Sequence, residues 1–358
     1  MKKLIKYAAL LFALVLAASI IGGSLALGFS LVQGIQDEFS YRTEFDDNEN
    51  NSLWYCNEEG DIFFLGIHIG DNGGEVKSGS EQFAAADIVS VDINIGSADL
   101  IVEPWYGDTI SIEYENVPVE YEFYVKDKTL VIERKDNISF LWDVSFTKTP
   151  KIHLSVPASQ GFETVNVDKG SGSAMLIDLV SNDINVDNGS GGLGISNAKS
   201  KKLSVDSGSG GVNISDSKAE KSVLNSGSGS LIVKNCELGM ASVDSGSGFV
   251  NLEDIVAKNL MVDTGSGKVD ISGILTGKCE FESGSGSLNV LVYGNEEDYN
   301  INTDMGSGSF YLNGRKKNKD FDKEDKRAQY LLVFDVSSGR VSLDFADVPD
   351  TIAETLQN

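Results

Sequence analysis

The stretch Asp187-Asn188-Gly189-Ser190-Gly191-Gly192-Leu193-Gly194-Ile195-Ser196-Asn197-Ala198-Lys199-Ser200-Lys201-Lys202-Leu203-Ser204-Val205-Asp206-Ser207-Gly208-Ser209-Gly210 contains one full period of a repeat. The tripeptide Gly-Ser-Gly begins at Gly170, Gly189, Gly208, Gly227, Gly246, Gly265 and Gly284, each 19 residues after the last. An eighth copy begins at Gly306, after a three-residue insertion. A fixed period near 20 residues signals a solenoid, in which each unit buries its apolar face only against its neighbours.

Apolar residues fall at alternate positions on both sides of the tripeptide. After it come Ala174/Leu176, Leu193/Ile195, Val212/Ile214, Leu231/Val233, Val250/Leu252, Val269/Ile271, Leu288/Val290 and Phe310/Leu312. Before it come Val165/Val167, Ile184/Val186, Leu203/Val205, Ser222/Leu224, Ala241/Val243, Leu260/Val262, Cys279/Phe281 and Ile301/Thr303. Alternation of period two describes strands with one buried face. A third column reads Leu179, Ala198, Ser217, Cys236, Ile255, Ile274 and Tyr293. The fold class predicted is all-β, a parallel β-helix-like solenoid of 19-residue coils stacked at roughly 4.8 Å. Cys236 and Cys279 fall in inward columns and read as small buried hydrophobes. The repeated glycines predict a tight corner needing φ > 0, and the middle serines predict a hydroxyl ladder along the rod.

Two residues before each tripeptide stand Asp168, Asp187, Asp206, Asn225, Asp244, Asp263, Glu282 and Asp304. In register, these side chains line one edge. One reading is an Asx-type turn capping corner amides. The other is a row of Ca²⁺ sites on Asp168, Asp187, Asp206, Asp244, Asp263 and Asp304, since hard cations take oxygen ligands. No other cofactor is signalled.

Outside the repeat, Lys2, Lys3 and Lys6 precede a run without charge from Tyr7 through Gln36. That run exceeds the roughly 20 residues a bilayer requires and the roughly 7–15 of a secretory h-region. It predicts one N-terminal transmembrane helix, with cleavage near Ser24-Leu25-Ala26 as the alternative. The lysines place the N-terminus in the cytoplasm and the solenoid outside the membrane. The expected organisation is an anchor over 1–35, a polar spacer over 36–82 and a solenoid over 83–346. A charged loop is inserted over 315–329, and a tail follows over 347–358. Ile62 to Ile69 allows one strand within the spacer. Ile88–Val102 repeats the strand, Gly-Ser, strand layout, and Asp127-Lys128 suits a hairpin turn. Tyr330–Val336 and Arg340–Phe345 read as a last coil.

Composition narrows the function. The formal net charge of -25 over 358 residues argues against nucleic acid as a partner, and against tight docking on anionic lipid. Three cysteines with no Cys-x-x-Cys, and two distant histidines, His68 and His153, assemble no zinc site or catalytic triad. The serine-glycine runs lack the strand–elbow–helix context of a nucleophile. A carbohydrate-active β-helix enzyme would need converging carboxylates, whereas the acidic column here is uniform. Candidates for sugar stacking are few: Phe249, Tyr293 and Tyr311.

Gly96-Ser97-Ala98-Asp99-Leu100-Ile101-Val102, Ile110-Ser111-Ile112-Glu113-Tyr114, Thr129-Leu130-Val131-Ile132, Ile152-His153-Leu154-Ser155-Val156-Pro157 and the Gly-Ser-Gly coils together resemble the putative-adhesin domain of bacterial envelope proteins. The resemblance covers about residues 83–346. It implies a β-solenoid, often in Gram-positive bacteria and tethered by one membrane helix, and it brings no catalytic residues. The expectation is a non-enzymatic, membrane-anchored adhesin or structural binding scaffold. Its expected partners are the membrane, through the N-terminal helix, and cell-wall or host-surface macromolecules or other envelope proteins.

Overall fold

The computed structural model describes residues 54–56, 62–64, 67–69, 76–135, 149–350 and 352. The chain divides into two compact units, Met1–Gly70 and Asp71–Asn358. In the first, strands Trp54–Cys56, Ile62–Phe64 and Ile67–Ile69 form an antiparallel meander. Two strands therefore occupy the stretch that the sequence allowed as one. The predicted membrane anchor lies outside the described residues. Among the described residues no helix is long and apolar enough to cross a membrane.

The second unit is all-β and solenoid-like. Each regular coil has a nine-residue strand, a Gly-Ser-Gly corner, a four-residue strand and a left-handed corner. Val180–Asn188 followed by Leu193–Ser196 is one such coil. Long strands stack on long strands and short on short, parallel and in register. Ile184, Leu203 and Ser222 share one level, as do Leu193, Val212 and Leu231. Both alternating columns read from the sequence are buried in every coil. Each buried aliphatic contributes roughly 1.5–3 kcal/mol relative to exposure. The third column slips once: Ile255 pairs with Gly273, so Leu275 is buried while Ile274 is only half-buried. Cys236 and Cys279 face inward as expected.

The glycine corner has a different cause from the one the sequence suggested. None of the Gly-Ser-Gly glycines has positive φ. What they require is close backbone approach. A Cβ on Gly191 would lie 1.8 Å from the carbonyl oxygen of Gly172, and one on Gly210, 2.1 Å from that of Gly191. The amides of Ser190, Ser209 and Ser228 donate to the Gly170, Gly189 and Gly208 carbonyls at 2.9, 3.1 and 3.0 Å. Hydrogen bonding between coils thus continues into the corner and resumes at the first residue of the short strand, where the Leu193 amide donates to the Gly211 carbonyl. Positive φ belongs to the opposite corner, at Asp178, Asn197, Asp216, Asn235 and Asp254, residue types that tolerate this region. Their alternation lets Asn197 donate to Asp178, and Asn235 to Asp216 at 3.3 Å, so that carboxylate never stacks on carboxylate.

The order of the terminal coils departs from the sequence. Strand Tyr330–Val336 lies between Lys278–Ser283 and Tyr299–Met305. Arg340–Ala346 likewise separates Ser287–Tyr293 from Ser309–Leu312. The expected last coil is therefore the penultimate layer, and the coil of Gly306 is the outermost. The segment 315–329 carries the chain across that end. Its short strands Arg315–Lys316 and Asp322–Lys323 pair antiparallel with the outer coil and cover an edge that would otherwise present unpaired amides. The other end uses the same device. Ser90–Asn94 sits between Thr129–Arg134 and Gly161–Lys169, and Asp99–Trp105 between Lys151–Pro157 and Ala174–Ile177. Val76–Ala84 pairs antiparallel with Thr109–Pro118 at this end, so strand structure begins inside the stretch read as spacer. Asp127 and Lys128, both at positive φ, turn the predicted hairpin.

One inward column escaped the sequence reading. The residue just before each corner is buried and, in seven successive coils, polar: Lys169, Asn188, Ser207, Ser226, Ser245, Thr264 and Ser283. Lys169 Nζ donates to Asn188 Oδ1 at 2.5 Å, and Asn188 Nδ2 to Ser207 Oγ at 2.8 Å. Burial pushes the Lys169 ammonium below the ordinary lysine range, while the Asp99 charge opposes that shift.

Two predictions follow from these contacts. Gly191→Ala destabilises by at least about 3 kcal/mol because the clash is with backbone, whereas Gly192→Ala, with nothing within 4 Å of a built Cβ, stays within about 0.5 kcal/mol. Thermal unfolding followed by circular dichroism checks both. A lysine with a depressed folded pKa destabilises the fold while charged, and that penalty fades as pH rises through the folded pKa toward the ordinary lysine value. Wild type therefore gains stability over that window relative to Lys169→Met, which cannot titrate there. Paired melts at alkaline pH measure the difference.

Candidate functional site

The Gly-Ser-Gly corner, exposed at its serine in every regular coil, separates two columns of outward side chains. On the long-strand side runs the acidic line, from Asp168 through Asp187, Asp206, Asn225, Asp244 and Asp263 to Glu282, all in register. The exchange of terminal coils then places Asp335 next, ahead of Asp304. Asp335 was not recognised in the sequence, because only its spatial neighbours put it in this line.

All the carboxylates of this line are exposed. None forms a side-chain hydrogen bond or ion pair among the described residues. The corner-capping reading is thereby corrected, for the corner amides already donate to carbonyls of the preceding coil. Asp168, Asp187 and Asp206 line a shallow depression with Asn166, Asn185 and Ser204. The Asp187 carboxyl is raised above the usual range, first by burial, then by Asp168 and Asp206 on either side. Among the described residues no three His, Cys, Asp or Glu side chains are grouped to hold a metal ion. The carboxylates run in file rather than converging.

Other candidates are accounted for by packing. Burial pushes the Cys236 and Cys279 thiols up to about 11, away from the thiolate that nucleophilic or metal chemistry uses. His153 Nε2 lies 2.9 Å from Glu103 Oε1 on an outer strand face. Tyr293 is largely buried and donates to Asp254 Oδ1 at 2.7 Å. The two remaining aromatics are overlaid by cations. Lys268 Nζ stands 5.6 Å from the Phe249 ring centroid, and the Arg340 guanidinium 4.3 Å from that of Tyr311.

On the short-strand side, the residue after each corner changes character along the rod. It is Ser173, Gly192, Gly211 and Ser230 in successive coils, then Phe249, Lys268, Ser287, Arg340 and Ser309. Small neutral positions give way to an aromatic and two cations. The sequence carries this signal, but it becomes legible only when the repeats are aligned on this column and the last two coils are exchanged.

With this geometry in place, comparison with known proteins is informative. Residues 88–248, and again 223–324, match the family described as Toastrack DUF4097. The chain belongs to this family. None of the curated proteins matches it. Among solved structures, a "putative lipid binding protein" from Parabacteroides distasonis ATCC 8503 is similar at 17% identity and a TM-score of 0.50, covering 75% of this chain and 98% of its own. A "putative adhesin" from Bacteroides fragilis NCTC 9343 is similar at 13% identity and a TM-score of 0.41, covering 75% and 97%. At 17% identity and a TM-score of 0.50, the likeness of the first to this Toastrack chain is one of fold.

The acidic line makes a testable statement about stability. Carboxylates one strand apart repel, so Asp187→Asn raises the melting temperature at neutral pH. The folded pKa of Asp187 is raised, so its charged form is the destabilising one. The gain shrinks as pH falls and wild-type Asp187 becomes protonated. For an exposed site the effect is about 0.2–1 kcal/mol, read by parallel melts at neutral and acidic pH.

Proposed function

We propose that this Toastrack protein is a non-enzymatic binding scaffold of the cell envelope, adhesin-like in its use of an extended surface. In this reading the N-terminal apolar segment anchors it in the membrane and the solenoid lies outside. The observation that carries the proposal is the repetition of outward side chains at strand spacing along a rigid core. Such a surface holds an extended partner through many equivalent contacts. Catalysis would instead call for a local convergence of acid, base or nucleophile. The fold neighbour described as a "putative lipid binding protein" is in keeping with binding. A calcium-dependent version of the scaffold is the second reading, favoured by the in-register file of carboxylates; Asp187 is raised first by burial and then by Asp168 and Asp206.

Protease treatment of intact cells, with fractionation, tests location: the solenoid is expected in the membrane fraction and degraded from outside. Protection of the solenoid in intact cells would overturn the anchored-surface reading. Capture on isolated envelope material tests binding, and failure to be retained counts against the scaffold. Millimolar Ca²⁺ that leaves the melting temperature where Mg²⁺ leaves it would remove the second reading.

A further inference from the structure

We infer that the corner groove at the far end of the solenoid is a binding site for phosphate-type oxyanions. The groove has a volume of about 640 Å³. It runs along Ser266, Ser285, Ser338 and Ser307, which belong to four consecutive layers. Their exposed hydroxyls repeat at roughly 4.8 Å, the strand spacing. Lys268, Arg340 and Lys316 also line the groove, and no Asp or Glu does.

In a chain of net charge -25, a groove lined by three cations and no carboxylate runs against the overall field. Lys268 reaches Asp270 at 2.5 Å, which leaves part of its charge spoken for. Lys316 and Arg340 are exposed and have no carboxylate partner among the described residues. The Arg340 guanidinium carbon lies 4.3 Å from the centroid of the Tyr311 ring. With the ring on one side and no side-chain acceptor among the described residues, its N–H groups are free to make paired hydrogen bonds to a tetrahedral oxyanion. The hydroxyls of Ser266 and Ser285 supply further donors, while those of Ser338 and Ser307 donate to the Gly284 and Ser337 carbonyls at 3.3 and 3.5 Å.

The exchange of terminal coils builds this arrangement. Lys268 pairs with Ser287, and Ser287 with Arg340, so the two cations stand two layers apart. Had the coils followed sequence order, Ser309 would occupy the layer of Arg340. Lys316 enters from the short strand that covers the outer coil. A ligand with phosphates in series, running along the serine file, fits this spacing better than a single ion.

The inference deepens the scaffold reading and rests on it. Titration calorimetry of the full chain at low ionic strength, with sodium tripolyphosphate and with orthophosphate, tests it, since exposed charges are least screened there. Saturable binding of tripolyphosphate, tighter than orthophosphate, is expected. Lys316→Gln with Arg340→Gln weakens it at least tenfold, while Lys201→Gln with Lys202→Gln leaves it unchanged. Both pairs are surface changes, and unaltered melting curves establish that the variants fold.

Vesicles of phosphatidylglycerol, against phosphatidylcholine, identify the source. Retention on phosphatidylglycerol that the Lys316/Arg340 variant loses assigns the phosphate to a lipid headgroup. Tripolyphosphate binding without such retention assigns it to a soluble or wall-borne polymer. Absence of both, or equal loss in the two variant pairs, overturns the site. If envelope capture then persists, the scaffold reading stands without this groove; if it fails too, both fall.

Discussion

The backbone of each coil runs so close to the one before it that no side chain fits between them at the Gly-Ser-Gly corner. Carbonyl oxygens of one layer lie about where a Cβ of the next would have to be, 1.8–2.1 Å away at Gly191 and Gly210. Everything else in the solenoid depends on this approach. It carries hydrogen bonds between coils into the bend, and so holds long strand on long strand and short on short. A one-residue slip would turn aliphatic columns outward. The corner therefore fixes register, and register fixes the core.

Given that register, each column becomes a stack of like residues, and like charges become a problem. The protein answers differently in different places. At the left-handed corner, Asp and Asn alternate, so Asp178 and Asp216 each accept from the Asn of the next coil, and Asp254 accepts from the Tyr293 hydroxyl. Along the exposed acidic line there is little alternation, and Asp168 and Asp206 add to the burial that raises the Asp187 carboxyl. Inside, the column before each corner is polar where an aliphatic would be the simpler choice. The first members satisfy one another, with Lys169 on Asn188 and Asn188 on Ser207. Farther along, the hydroxyls of Ser245, Thr264 and Ser283 are buried without a partner among the described residues.

Both ends of the solenoid use one solution to the exposed-edge problem. At each end, a coil at the extreme of the solenoid sequence is tucked one layer inward and paired on both sides, and antiparallel segments cover the outermost layer. This closes an edge that would otherwise invite another chain. It also produces new juxtapositions. Asp335 joins the acidic line between Glu282 and Asp304, and Arg340 comes within two layers of Lys268. Repetition makes the middle of the rod uniform, and the irregular ends are where local chemistry concentrates.

Much of this was legible in the amino-acid order. A period of 19 and an alternation of two dictated parallel coils, named the buried aliphatics and placed Cys236 and Cys279 inside, because a stacked layer can bury only what recurs at the same level. The reason for the glycines was not legible, since a steric demand from a neighbouring backbone and a demand for positive φ select the same residue. Nor was the order of the last two coils, because any strand with the right alternation can pair in either layer. That choice depends on the path of residues 315–329 and on which arrangement leaves fewer unpaired amides. It is the choice that put Arg340 beside Ser287, and with it the groove where this surface differs from the rest of the rod.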